Sequence, residues 1–483
     1  MKIIEVSLTI FYIFICIGIG IWARKKVSSS TDDYWVAGRK IGTFANSWAL
    51  MAALGSGGSI LGVNGLAYAA GVPYVFAMFA GAVVGFPFAA ILVAGHLRDL
   101  KVRTVPEYLT IRYNNKILSV IVPIIIMVAM EVYVVAQLKA AGITVVYLLD
   151  LPYSYAVIIT AIVFTLYVSI GGMWAITLTD VMQGILMFVV AIGLSLVIFA
   201  SFGGVTPLLA KATTAAPHFG QIKEMSFISY LGAFVVWLVA ACCVPHLVMR
   251  VFTARDSQSA KLSLNYSMVT YAILIFVMVL AVASAGHVVF PGLKDADTVF
   301  LKVMEHYLPS ALIRGIAVAA IMAAVMSTTD ALILAVSSAA VNDIYKQFIN
   351  REASDKTVVK VGLVMTWVAG LLAIYFALNP PKLLTMLYSL AVGLIGSSLL
   401  APIVLGIWWK KATPVAALLS CITGGTCYCY LSVVKTMPPL SHILVSIPLS
   451  FVVLVVASYF TKTTDPRIMS LVTKVHESGE IDS

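Results

Sequence analysis

Charge is what this 483-residue chain has least of: 11% of its residues are Asp, Glu, Lys or Arg, against 61% hydrophobic. A soluble domain carries roughly a quarter charged residues, so a soluble globular protein is excluded. The chain also lacks a paired-acid, HExxH or His-rich motif at a membrane face, which argues against a polytopic enzyme. A ring-forming filter motif, as an ion channel would need, is missing as well. Of the seven histidines, His96, His246 and His287 read as boundary or packing residues. The six cysteines (Cys16, Cys242, Cys243, Cys421, Cys427 and Cys429) have no metal-ligand partners at useful spacing and read as small hydrophobes inside helices.

What is present in excess is apolar sequence long enough to span a bilayer, which takes roughly 20 residues per helix. Thirteen spans are expected near 4–23, 43–71, 73–96, 117–148, 153–172, 175–202, 226–250, 263–289, 309–345, 357–378, 382–409, 412–434 and 440–461. The first, Ile4–Ala23, has no basic leader or small-residue cleavage site and is followed by Arg24, Lys25 and Lys26, so it reads as a retained span. An N-terminus outside puts 22 of the 31 Lys and Arg on the inner side, as positive-inside asymmetry demands. Arg250 is read here as a marker of the inner boundary. The basic balance is therefore an orientation signal, and no nucleic-acid or obligate protein partner is expected. The expectation is one transmembrane domain over 1–461 in a cell (inner) membrane, with a cytoplasmic tail at 462–483. A tail this short argues against a transporter-like histidine kinase, while a sensor working with a separate partner stays open.

Polar groups inside a membrane are costly and face a bundle interior or a water-filled cavity. The second span contains Gly55-Ser56-Gly57-Gly58-Ser59, which weakens a helix and frees backbone carbonyls, or else allows close helix packing. In span nine, Ala324, Ser327 and Thr328 share one helical face at i, i+3 and i+4. They offer hard oxygen ligands to a small cation, or hydroxyls that bond back to their own helix. Asp180 follows the Gly171-Gly172 break and reads equally as a cation or proton site or as a helix cap. Trp237 lies two turns before Pro245, whose missing N–H opens a kink where a solute can meet backbone. Asp330, and Glu131 with Lys139 two turns apart in span four, are further buried-charge candidates.

Four patches in order carry a resemblance to a known family. They are Gly65-Leu-Ala-Tyr68-Ala-Ala-Gly71, Thr104-Val-Pro-Glu107-Tyr-Leu with Arg112-Tyr113, Gly171-Gly-Met-Trp-Ala with Thr179-Asp180-Val-Met-Gln183, and Ala324-Val-Met-Ser327-Thr328 with Ser337-Ser338 and Asp343-Ile-Tyr345. Together they resemble the sodium:solute symporter family over nearly the whole chain. The resemblance implies an all-α polytopic fold of the leucine-transporter type, with inverted five-helix repeats near 43–202 and 226–409 around a midplane site. It implies Na+ as coupling ion, with ligands at Ala52, Gly55, Ala324, Ser327 and Thr328. Some members hold a second sodium with the acid matching Asp180 and two hydroxyls, where this chain has Asp330 and Ala331. The solute region is expected at Ser56, Ser59, Trp237, Ala241 and Pro245. Ala241 stands where proline carriers have tyrosine, and Leu54 where they have an acid; the stretch Pro245–Asp256 looks closer to acetate-type and pantothenate-type members. The expected solute is a small organic anion such as a monocarboxylate, with proline or another amino acid as the alternative.

Overall fold

The computed structural model describes residues 2–24, 31–222, 225–380 and 383–462. Lys25 and Lys26 of the first inner loop, Lys223, Pro381 and Lys382, and the expected tail from 463 onward lie outside the described residues. Twelve described helices are long and apolar enough to cross a membrane, and one bent pair makes a thirteenth span. In chain order they are α1 (Ile3–Ala23), α2 (Thr43–Leu54 and Gly58–Ala70), α3 (Val72–Asp99), α4 (Leu118–Leu149), α5 (Tyr153–Ile170), α6 (Gly172–Phe202) and α7 (Phe227–Thr253). They continue with α8 (Ser257–Val289), α9 (Ala311–Ile349), α10 (Asp355–Ala377), α11 (Leu384–Trp408), α12 (Pro414–Val434) and α13 (Ile443–Phe460). Among the described residues no strand forms; Ile41 and Ala254 make one isolated bridge. Helices satisfy their backbone groups internally, which hydrocarbon requires. Large apolar side chains such as Phe14, Ile91, Tyr375 and Phe460 point outward.

The spans are not equally enclosed. In α9 94% of the apolar window is buried, and in α11 78%, against 28% in α1, α6 and α13. α9 therefore runs through the centre, packed on α4, α1 and the α5–α6 pair. Both five-helix sets, α2–α6 and α7–α11, begin on a broken helix. The first half of α2 ends where Gly55 N–H donates to Met51 O (2.8 Å), and the halves are bent by 56°. The α7 helix breaks at Val244, whose φ of −73° and ψ of 119° are extended, before Pro245 opens the second half. Proline has no N–H to give the preceding turn, so the break costs that segment nothing further.

Two of the four sequence patches meet at one membrane face. Thr104 caps the helix Val105–Tyr113 by accepting from Glu107 N–H (3.0 Å), and its hydroxyl donates to Asp343 Oδ1 of α9 (2.8 Å). Arg112 from the same short helix donates to Gly406 O in the last turn of α11 (2.7 Å), where the helix dipole favours a cation. Nearby, Arg39 and Arg103 both pair with Asp32. Burial opposes ionisation of Asp32, but the bonds and charges of Arg103 and Arg39 outweigh it and hold its carboxyl below the usual range.

Candidate functional site

Where α2 breaks, it crosses α9. Ser327 Oγ donates to Ala52 O (2.9 Å) and lies 3.2 Å from Ala324 O; Thr328 Oγ1 donates to Ala53 O (3.1 Å). Ala52, Ala324, Ser327 and Thr328 are fully buried, with relative exposure of 0%. The structure thus brings four of the five expected sodium ligands to one crossing, and Gly55 caps the same half-helix one turn on. Thr328 bonds to Ala53 rather than to Ala52. The crossing holds neutral oxygens only: a cation entering it would take over hydroxyl–carbonyl contacts already in place. That donor set fits a small hard cation.

Beyond the break the chain makes a second cluster. Ser59 Oγ bonds to Leu54 O (2.8 Å) and to the Tyr271 hydroxyl (2.7 Å), and Ser59 N–H donates to Ser56 Oγ (3.0 Å). Gly57 N–H donates to Gln137 Oε1 of α4 (3.1 Å). A Cβ on Gly58 would stand 2.4 Å from Tyr388, so α11 reaches the break only because no side chain is there. Tyr388 stacks on Tyr133 (5.2 Å) and meets Trp237 edge-on (5.8 Å); Phe79 lies between Trp237 and Tyr271. Trp237 Nε1, His246 Nδ1 and Gln137 Nε2 are buried with no hydrogen-bond partner among the described residues. Buried polar atoms of this kind are ordinarily paired, so three in one region ask for a ligand. Trp237 is therefore joined to Ser56 and Ser59 through aromatic rings. Ala241 and Pro245 lie buried on α7, one and two turns further on.

Sequence reasoning missed Tyr133, Gln137, Tyr271 and Tyr388 and set His246 aside. Tyr133 and Gln137, four residues apart in an apolar span, carried a signal, but Glu131 and Lys139 drew attention from them. Those two charges do not pair. Lys139 Nζ bonds to Asp297 Oδ2 (2.9 Å), and Glu131 lines a separate cavity of 580 Å³ bounded by α4, α10 and α11.

A third cluster corrects the reading of Arg250 as a boundary residue. Its side chain is 1% exposed, pairs with Asp180 and donates to Thr177 Oγ1 (2.9 Å). Helix α7 turns its second half inward after Pro245, which carries Arg250 back into the bundle. Asp180 therefore caps no helix end. Asp330 lies close enough to feel the charges of Asp180 and Arg250. Among the described residues neither of its oxygens has a hydrogen-bond partner.

The model of the sodium:solute symporter family matches residues 34–424. The sodium/proline symporter of Escherichia coli (strain K12) is 30% identical over 86% of this chain and 84% of its own length. The sodium/pantothenate symporter of the same strain is 28% identical over 87% and 89%, and the osmoregulated proline transporter OpuE of Bacillus subtilis (strain 168) 27% over 87% of each. A Na+-coupled sialic acid symporter solved in a substrate-bound outward-open state superposes with a TM-score of 0.80, covering 96% of this chain and 99% of that one at 17% identity.

Proposed function

This chain belongs to the sodium:solute symporter family, and on that premise we propose that it imports a small organic anion, a monocarboxylate or pantothenate-like acid, together with Na+ by alternating access. The observation that carries the reading is the α2–α9 crossing set beside a closed region with three unpaired buried polar atoms. Sodium takes the oxygens of Ala52, Gly55, Ala324, Ser327 and Thr328 and holds the two helices together. The solute meets Ser56, Ser59, Trp237, Ala241 and Pro245, with Gln137, Tyr271 and Tyr388 added to that set. N–H donors at Gln137 and Trp237, with the backbone of the broken helix, suit a negatively charged group.

The N-terminus faces outside and the C-terminus the cytoplasm; one Na+ carried with one monoanion moves no net charge, so the sodium gradient rather than the membrane potential drives entry. The inverted repeats run near 43–202 and 226–409. A sodium/proline symporter is the second reading, favoured by the names of the relatives.

The test is uptake of labelled acetate, pyruvate, pantothenate and proline into proteoliposomes with and without an imposed sodium gradient. Sodium-driven accumulation of an acid other than proline is expected. Accumulation of proline alone would move the chain to the second reading. Uptake driven by protons and indifferent to sodium would overturn both.

A further inference from the structure

Lys139 and Asp297 form a buried ion pair, with side chains 8% and 0% exposed, on which four segments of the chain meet. Lys139 belongs to α4, and Asp297 to the turn Ala296–Thr298 between α8 and α9. Asp297 Oδ2 also accepts from the N–H of Leu384 at the start of α11 (3.2 Å). A Cβ on Gly65, in the second half of α2, would stand 2.6 Å from the other Asp297 oxygen. The opening turns of α11 lie on the α2 break, Leu384 and Thr385 against Gly62 and Tyr388 against Gly58. The ion pair thus pins the segment that covers the solute region.

Next to the pair opens a cavity of 840 Å³ whose lining includes Tyr68, Lys139, His218, His287, Lys294 and Asp295. Among the described residues of that lining, Asp295 is the single acid, against two lysines. His287 is 5% exposed and stacks on Tyr68 at 4.1 Å, and its Nε2 has no hydrogen-bond partner among the described residues. The cavity therefore holds two lysines and a buried polar atom in want of a ligand, with Lys139 common to the cavity and the pair.

We propose that this cavity is an outer binding site for the solute's carboxylate, which displaces Asp297 from Lys139 and so frees the first turn of α11 to open the way to the α2 break. The inference rests on the organic-anion reading above. An ammonium is a compact charge with three donors that accepts one carboxylate in place of another. Removing one partner of a buried pair without replacement leaves a charge uncompensated. The pair therefore stays closed to water and to neutral solutes and opens to an anion that takes the place of Asp297.

The experiment uses proteoliposomes of the full chain with Cys427→Ser and Cys429→Ser, and Thr385→Cys as reporter, since Thr385 is fully buried under the pair. Labelling by an impermeant thiol reagent is followed with pyruvate, with pyruvamide and with neither. Pyruvate is expected to speed labelling about tenfold, and pyruvamide to leave it unchanged. Asp297→Asn should speed labelling without any solute, and so should Lys139→Met/Asp297→Asn, which leaves neither charge stranded. These two variants part company in pyruvate uptake: the double variant raises KM about tenfold or more, whereas Asp297→Asn does not, and Lys139→Arg keeps the response. Equal KM in the two variants, or pyruvate uptake without faster labelling, overturns the proposal. If no carboxylate accumulates under a sodium gradient, the organic-anion reading falls and this site falls with it. Unchanged labelling in Asp297→Asn shows separately that the pair holds no gate.

Discussion

Two sets of buried oxygen atoms lie one turn apart along α9, and they differ in what neutralises them. At Ala324, Ser327 and Thr328 the oxygens are uncharged and bonded to the carbonyls of Ala52 and Ala53. At Asp330 they belong to a carboxyl group beside Asp180, and Asp180 already holds a guanidinium from α7. A neutral hydroxyl–carbonyl contact contributes about 1 kcal/mol net and is readily exchanged for an ion. A carboxylate held by a buried arginine is not. The first set is therefore the one we propose for the coupling ion, and the second is a brace joining α6 and α7, with Asp330 of α9 beside it.

The sharpest way to break this comparison is Arg250→Met. It strands Asp180 without its cation, and breaking a buried pair by removing one partner costs roughly 3–5 kcal/mol. The expected outcome is a large fall in thermal stability of the purified protein in detergent, with little folded material recovered. A variant as stable as the parent would mean that Arg250 braces nothing. A smaller effect is expected at the other set. Ser327→Ala with Thr328→Ala removes no charge, so the protein folds, but the sodium concentration for half-maximal uptake rises about tenfold or more, equivalent to about 1.4 kcal/mol. Unchanged sodium dependence would remove these hydroxyls from the ion site.

How far each set could be read in advance follows from what holds it. The spans were legible because the membrane imposes length and apolarity on every helix, and the α2 break because three glycines in four positions cannot sustain a regular turn. The Ser327–Thr328 face was legible from helical spacing alone, within one element. Arg250 was not: seen along the chain it closes an apolar run like any boundary arginine, and only the break at Val244 turns it toward Asp180. Lys139 misled for the same reason, since its partner is 158 residues away rather than two turns back. The aromatic enclosure of Tyr133, Tyr271 and Tyr388 comes from three helices, and spacing within any one of them gives no hint of it.

The smallest expected effect tests the comparison most finely. Asp330→Ser with Ala331→Ser introduces the hydroxyl pair that the family resemblance implies for a second sodium. If the pattern of oxygens alone made a cation site, uptake should become steeper in sodium, because a Hill coefficient can rise to the number of coupled sites. The structure argues otherwise. With serine at 330, Asp180 and Arg250 still pair one to one, so the site gains no charge to draw a cation. Displacing the guanidinium would leave it buried and unpaired, the costly outcome described for Arg250→Met. The sodium dependence of the double variant is therefore expected to keep a Hill coefficient of roughly one, with half-saturation shifted less than about threefold, under 0.7 kcal/mol or so. A coefficient approaching two would show that Arg250 yields its place to sodium, and the two sets would then differ in occupancy rather than in kind.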